Sequence, residues 1–184
     1  MSRAARPAPT PSSTGSSSSW GRSEETAMTD QEKIAKFRER LGLKILEATS
    51  PSPRRVFLTV APADVKAAAE VVKTDLGSEH LSTISGLDLG ETFEIIYHFG
   101  DSAGNVNVRT RIPKADPRLP SLCPVVPGAI LYERELQDMF GIAVEGLPDP
   151  RPLLTPDDWP AGNFPLRKDW TFERPQEKIP GGKT

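Results

Sequence analysis

The sequence predicts an α+β fold, a small, mainly antiparallel sheet packed on helices and followed by a Pro-rich, extended C-terminal tail. Three observations carry this. Several short runs alternate apolar and polar side chains, as half-buried strands do. Other stretches repeat apolar residues at helical spacing. Thirteen of the nineteen prolines lie between Pro113 and the end, where most can neither donate a ladder hydrogen bond nor continue a helix. At 184 residues the chain has room for one ordinary domain with a core, plus appendages.

The first 30 residues hold eight serines, three prolines and two glycines, with little that is apolar besides Trp20. Such a composition cannot offset the entropy of ordering, so residues 1–28 read as a disordered leader. Arg3, Arg6 and Arg22 among the serines give it a transit-peptide flavour without an amphipathic stripe. A second reading starts the chain at Met28, because the capping box Thr29-x-x-Glu32 follows at once. Residues 29–141 form the expected domain. Ile34, Phe37 and Leu41 mark a first helix, which Gly42 would close with a left-handed cap. Lys44–Thr49 and Arg54–Val60 read as a hairpin around Ser50-Pro51-Ser52-Pro53. Pro62 suits the first turn of a second helix, with Val65, Ala68, Val72 and Leu76 on one face. Leu81–Asp88, Thr92–Phe99 and Val106–Ile112 read as strands, the last two joined by a turn-rich run at 100–105. On that pair, Phe93, Ile95, Tyr97 and Phe99 should face the same side as Val106, Val108, Thr110 and Ile112.

Past Pro113 one helix is expected, from Gly128 to Phe140. Ala129, Tyr132, Leu136, Met139 and Phe140 form its apolar face, and Gly141 stops it. Residues 142–184 form the tail, with Trp159, Phe164, Trp170 and Phe172 on a backbone too Pro-rich to pack a core alone. Rigid aromatics of this kind anchor interfaces, so the tail is expected to lie across a partner's surface.

Composition excludes several function classes. A net charge of −2, from 23 Lys and Arg against 25 Asp and Glu, gives no chain-wide pull toward nucleic acid or an anionic membrane. No apolar run approaches the roughly 18 residues that cross a bilayer, so direct membrane insertion is not expected. A single cysteine, Cys123, forms no internal disulfide and cannot alone ligate a cluster or a structural zinc. His80 and His98 lack metal-ligand spacing. GxGxxG, Walker, GxSxG and CxxC patterns are absent. Glu133, Glu135 and Asp138 make a thin acid/base proposal, because Glu133 and Glu135 stand two apart on a helix and do not face each other. Arg134 and Asp138 have the spacing of a helical ion pair.

The informative stretch is Glu133-Arg134-Glu135-Leu136-Gln137-Asp138-Met139-Phe140-Gly141-Ile142, followed by Gly146-Leu147-Pro148-Asp149-Pro150-Arg151-Pro152, then Asp157-Asp158-Trp159 and Pro165-Leu166-Arg167-Lys168-Asp169. This series resembles the 30-kDa subunit of respiratory complex I, a family shared with subunits of membrane-bound [NiFe] hydrogenases and formate hydrogenlyases. The likeness spans residues 31 to 170. Leu147 stands where the family usually carries His, and Pro152 where it carries a basic residue. The resemblance implies a structural, interaction subunit in the peripheral arm of a complex I-type NADH:quinone oxidoreductase, with no catalytic, cofactor-binding or metal-ligating residue of its own. NAD, FMN, iron-sulfur clusters and quinone, or a NiFe centre, would sit in partner subunits. Those partners would be the hydrogenase-like large subunit with the quinone site and neighbouring iron-sulfur subunits. The assembly would lie on the cytoplasmic face of the inner membrane, with this chain attached peripherally. The residues implied to face the partner are Glu133, Arg134, Glu135, Asp138, Gly141, Pro148, Asp149, Arg151, Trp159, Pro165, Arg167, Lys168 and Asp169. A free-standing enzyme using the Glu133 to Asp138 carboxylates is the reading from another class.

Overall fold

A computed structural model describes residues 28–101 and 104–171. The leader up to residue 27, the centre of the turn at 102–103 and the tail from Phe172 onward lie outside the described residues. Helix α1 covers Asp30–Leu41 and opens with the expected box. The Glu32 N–H donates to the Thr29 hydroxyl, and the Glu32 carboxylate accepts the Thr29 N–H. Gly42 ends α1 with φ 52° and ψ −119°, outside the left-handed cap geometry expected. A short 3-10 turn, Gly42–Lys44, follows directly and steers the chain into strand β1, Ile45–Ser52. A tight turn at Pro53-Arg54 returns it as β2, Arg55–Val60. Helix α2, Val65–Thr74, leads to β3, Leu81–Asp88, then β4, Thr92–Asp101, and β5, Gly104–Pro113.

The five strands lie in the order β1-β2-β5-β4-β3. The pairs β1–β2, β3–β4 and β4–β5 are antiparallel, but β2 and β5 run parallel, Val56 opposite Val106 and Leu58 opposite Val108. The sheet is therefore mixed, not mainly antiparallel as expected. The cause is connectivity: after β2 the chain crosses over through α2, and β2's free edge is taken by β5, a strand from the far end of the next meander.

Register matches the predicted faces: Phe93 opposes Ile112, Tyr97 opposes Val108 and Phe99 opposes Val106. These side chains, with Val56, Leu58 and Val60, are fully buried and make the core. Each such side chain taken from water contributes roughly 1.5–3 kcal/mol. Helix α1 packs on β1, β2 and α2, and α2 packs on β5. The opposite face carries polar pairs, several of them partly or fully buried: Arg111 with Glu94, Arg109 with Glu47, and His98 between Ser85 and Asn107.

Beyond Pro113 the chain is more ordered than the sequence suggests. Strands β6, Arg118–Pro120, and β7, Ala143–Glu145, form a small parallel pair, neither of which was expected. Helix α3 runs Ile130–Phe140 after a 3-10 turn at Pro127–Ala129. It lies on β3 so closely that a methyl on Gly86 would sit 2.6 Å from the Phe140 ring and 2.9 Å from Leu136. Ile142 and Val144 are buried in the core, so the segment without regular structure starts after Glu145, later than the boundary at 142. It is called the strap below, residues 146–171. Its described part lies back on α3 and the ends of β3 and β5.

Candidate interaction site

Helix α3 supplies the first half of the site. Glu133 points inward and is fully buried. Its carboxylate accepts the Ser121 hydroxyl at 2.7 Å, the Leu122 N–H and the Cys123 thiol at 3.3 Å. One side chain thus ties the loop before α3 to the helix. Burial, aided by the nearby Glu133 charge, raises the Cys123 thiol above its ordinary value even though Ser121 opposes the shift. A thiol held neutral in this way is a poor nucleophile. Burial and the Glu133 charge likewise push the Tyr97 hydroxyl well above 10.

The remaining polar residues of α3 reach the strap. Arg134 donates Nε–H to the Arg151 carbonyl at 2.7 Å and Nη2–H to the Pro152 carbonyl at 2.8 Å, with Asp149 at 3.4 Å from Nη1. Asp138 Oδ2 accepts the N–H groups of Leu153 at 2.6 Å, Leu154 at 2.8 Å and Thr155 at 3.4 Å. The Arg134–Asp138 pair suggested by spacing is therefore not made. Each side chain instead grips the strap, where backbone groups would otherwise lack partners. Asp149 also pairs with Arg151 at 2.7 Å, and these guanidinium contacts hold its carboxyl well below the usual carboxylate range. Glu135 has no hydrogen-bond or ion-pair partner among the described residues.

The strap's far end is fixed at the mouth of the sheet. Gly141 caps α3 in the left-handed conformation, φ 67°, and its bare Cα seats the Phe164 ring; a Cβ there would lie 2.4–2.7 Å from ring atoms. Arg167 donates Nε–H to the Phe140 carbonyl at 2.6 Å and stacks over Phe164 and Phe93 at 4.4 and 5.3 Å. Pro165 is half-buried beside it.

Asp88, at the end of β3, has a side chain only 1% exposed. It accepts the Lys114 ammonium at 2.7 Å, the Lys168 N–H at 2.9 Å and the Gly90 N–H at 2.8 Å. Burial would raise this carboxyl, but Lys114 and the two N–H groups outweigh it and hold it at about 2. Asp169 closes the latch on Lys114 at 2.9 Å. Asp169 and Asp88 in turn raise the Lys114 ammonium above its ordinary value. Trp159 lies 6.3 Å from Trp170, and both indole N–H groups donate to Asn163.

Of the thirteen residues read as partner-facing, then, Glu133, Arg134, Asp138, Gly141, Arg167 and Asp169 brace the chain's own fold. The Lys168 backbone does so too. Pro148 and the Arg151 side chain remain outside. Leu147 packs against the core, and Pro152 contributes only its carbonyl. Outward from the braced strap stand Leu153, Leu154 and Leu166, 38%, 56% and 51% exposed. Sequence reasoning missed Asp88, Lys114 and Asn163, and gave Ser121 no role of its own. The Asp88-x-Gly90 turn was a local signal for the first, but nothing local marks its partners.

Comparison with known proteins agrees with this architecture. Residues 58–176 match the family described as respiratory-chain NADH dehydrogenase, 30 Kd subunit. The C subunit of NADH-quinone oxidoreductase from Chloroherpeton thalassium is 36% identical over 144 residues, covering 74% of this chain and 59% of that protein. The C subunit of F(420)H(2) dehydrogenase from Methanosarcina mazei is 34% identical over 130 residues, covering 68% of this chain and 82% of that one. This chain thus spans less than two thirds of the length of the Chloroherpeton relative it matches. In fold, the chain resembles one from the membrane-bound sulfane sulfur reductase, an archaeal respiratory membrane complex. The TM-score is 0.67 at 23% identity, over 81% of this chain and 98% of that one.

Proposed function

This chain belongs to the respiratory-chain NADH dehydrogenase 30 Kd subunit family, and from that premise we propose that it is a non-catalytic docking subunit in the peripheral arm of a complex I-type oxidoreductase. It seats against the large subunit that carries the quinone site and borders the iron-sulfur subunits. NAD, FMN, the clusters and quinone belong to those partners. Attachment to the cytoplasmic face of the inner membrane is peripheral. Among the described residues no helix is long and apolar enough to cross a membrane.

One observation carries the reading. Arg134, Asp138 and Arg167 of the family signature are spent bracing the strap, and Leu153, Leu154 and Leu166 stand on its outside. An apolar edge on a rigid, charged frame fits a protein contact, where the frame fixes register and burial supplies affinity. The same engagement weighs against a free-standing enzyme built on Glu133 and Asp138: they face different neighbours and are held by donors, so the two do not share a proton. The electron donor is a separate matter, since the two relatives above carry different donors in their names. Tyr132 before the Glu-Arg-Glu run and the spelling Pro156-Asp157-Asp158-Trp159-Pro160 favour, as a second reading, the equivalent subunit of a hydrogenase or formate hydrogenlyase.

The test is co-expression with the large subunit. Removing residues 147–184, which spares the β6–β7 pair, should leave the sheet's circular dichroism in place and abolish co-purification. Undiminished recovery of the large subunit would overturn the docking role.

A further inference from the structure

Between α3 and the strap lies a cavity of about 280 Å³, whose wall includes Gln137, Asp138, Asp157, Trp159, Asn163 and Phe164. Its hydrogen-bonding capacity is lopsided. Three more wall residues, Pro152, Pro156 and Pro160, have no N–H to offer. The Trp159 indole donates to the Asn163 carbonyl, and the Asn163 amide donates to the Pro160 and Ala161 carbonyls. Gln137 directs its amide to the Pro150 carbonyl. The Trp159 indole and the Asn163 amide are thus engaged and Gln137 keeps one amide N–H, while carboxylate acceptors remain. Asp157 has no partner among the described residues, and the three N–H groups on Asp138 all reach Oδ2, leaving Oδ1. Among the described residues no Lys, Arg or His lines the cavity.

A site with spare carboxylate oxygens, few free donors and an aromatic wall suits a ligand that is planar, cationic and rich in N–H. A guanidinium meets all three conditions, since it offers five donors in a plane that stacks on an indole. We infer that this cavity is a socket for an arginine side chain of the partner subunit, an inference that rests on the docking reading above. Asp157 and Oδ1 of Asp138 take the guanidinium N–H groups, and Trp159 takes its face. Leu153 and Leu154, next in sequence to the wall at Pro152 and Thr155, form the apolar rim beside the charged centre.

The probe is ethylguanidinium, titrated into the full chain at constant ionic strength while the Trp159 indole N–H is followed by NMR, with butylammonium as the control. Saturable shifts with ethylguanidinium, absent or much weaker with butylammonium and weakened about tenfold by Asp157→Asn, support the socket. No response, an equal response to butylammonium, or an unchanged response in Asp157→Asn overturns it. Tighter probe binding in Arg174→Ala would place the chain's own arginine in the socket and overturn the assignment to a partner. Co-purification separates the two claims. If Leu154→Asp loses the large subunit and Asp157→Asn retains it, docking stands and the arginine socket falls. If both retain it, the docking reading falls as well.

Discussion

Replacing Asp88 by Asn tests how firmly the strap is latched to the sheet. The carboxylate is 1% exposed and holds Lys114, Lys168 N–H and Gly90 N–H at 2.7–2.9 Å. Its folded value of about 2 lies below the ordinary 3.8, so the folded state favours the ionised form. Because the folded value is depressed, the contribution is fully present above pH 4 and is lost as pH falls through 3.8 toward 2. A shift of nearly two pH units corresponds to about 2.5 kcal/mol at neutral pH. Asn keeps the shape and removes the charge, so the variant should be about 2 kcal/mol less stable at pH 7 by urea unfolding. The gap should narrow steadily below pH 4, because the wild type then loses the same charge. Limited proteolysis should find the strap near Leu166 more readily cut in the variant. A gap under about 0.5 kcal/mol at pH 7, or one that is the same at pH 7 and pH 2.5, would refute the latch.

Glu133→Gln sets an amide against three donors that all converge on the carboxylate. Chemical denaturation should show a loss of about 2–3 kcal/mol, and a stability equal to wild type would contradict the buried contact to Ser121 and Leu122. Gly141→Ala should cost about 2 kcal/mol, part from forcing a side chain to φ 67° and part from lifting Phe164 off the helix end. The lifted strap should also be cleaved faster by trypsin, and an unchanged digestion rate would argue against the seat.

The legible parts of the fold were those written in neighbouring residues. The Thr29 box, the first hairpin and the facing of Phe93 to Phe99 against Val106 to Ile112 follow from local spacing, and the structure has them, although the hairpin turns at Pro53-Arg54 and Ser50 to Ser52, expected in the turn, belong to β1. The parallel junction was not legible, because which strand fills the free edge of β2 is decided by topology, not by the pattern within β2 or β5. The candidate site divides in the same way. The signature residues were identifiable as a group, yet their spacing on α3 suggested an Arg134–Asp138 pair that the fold does not make. A helical pair is worth only a few tenths of a kcal/mol, and backbone groups of the strap compete for both side chains. Asp88 and the Lys168 N–H stand 80 residues apart, a distance no window of sequence reasoning covers.

The parallel seam also sets an order of events during synthesis. Thr59 on β2 and Arg109 on β5 are bonded across 50 residues of chain. The first hairpin therefore leaves the ribosome with the inner edge of β2 empty, and that edge waits until β5 has emerged. A nascent chain with an open strand edge is a template for unwanted pairing. Until β5 emerges, the inner edge of β2 is where this chain is most open to such pairing.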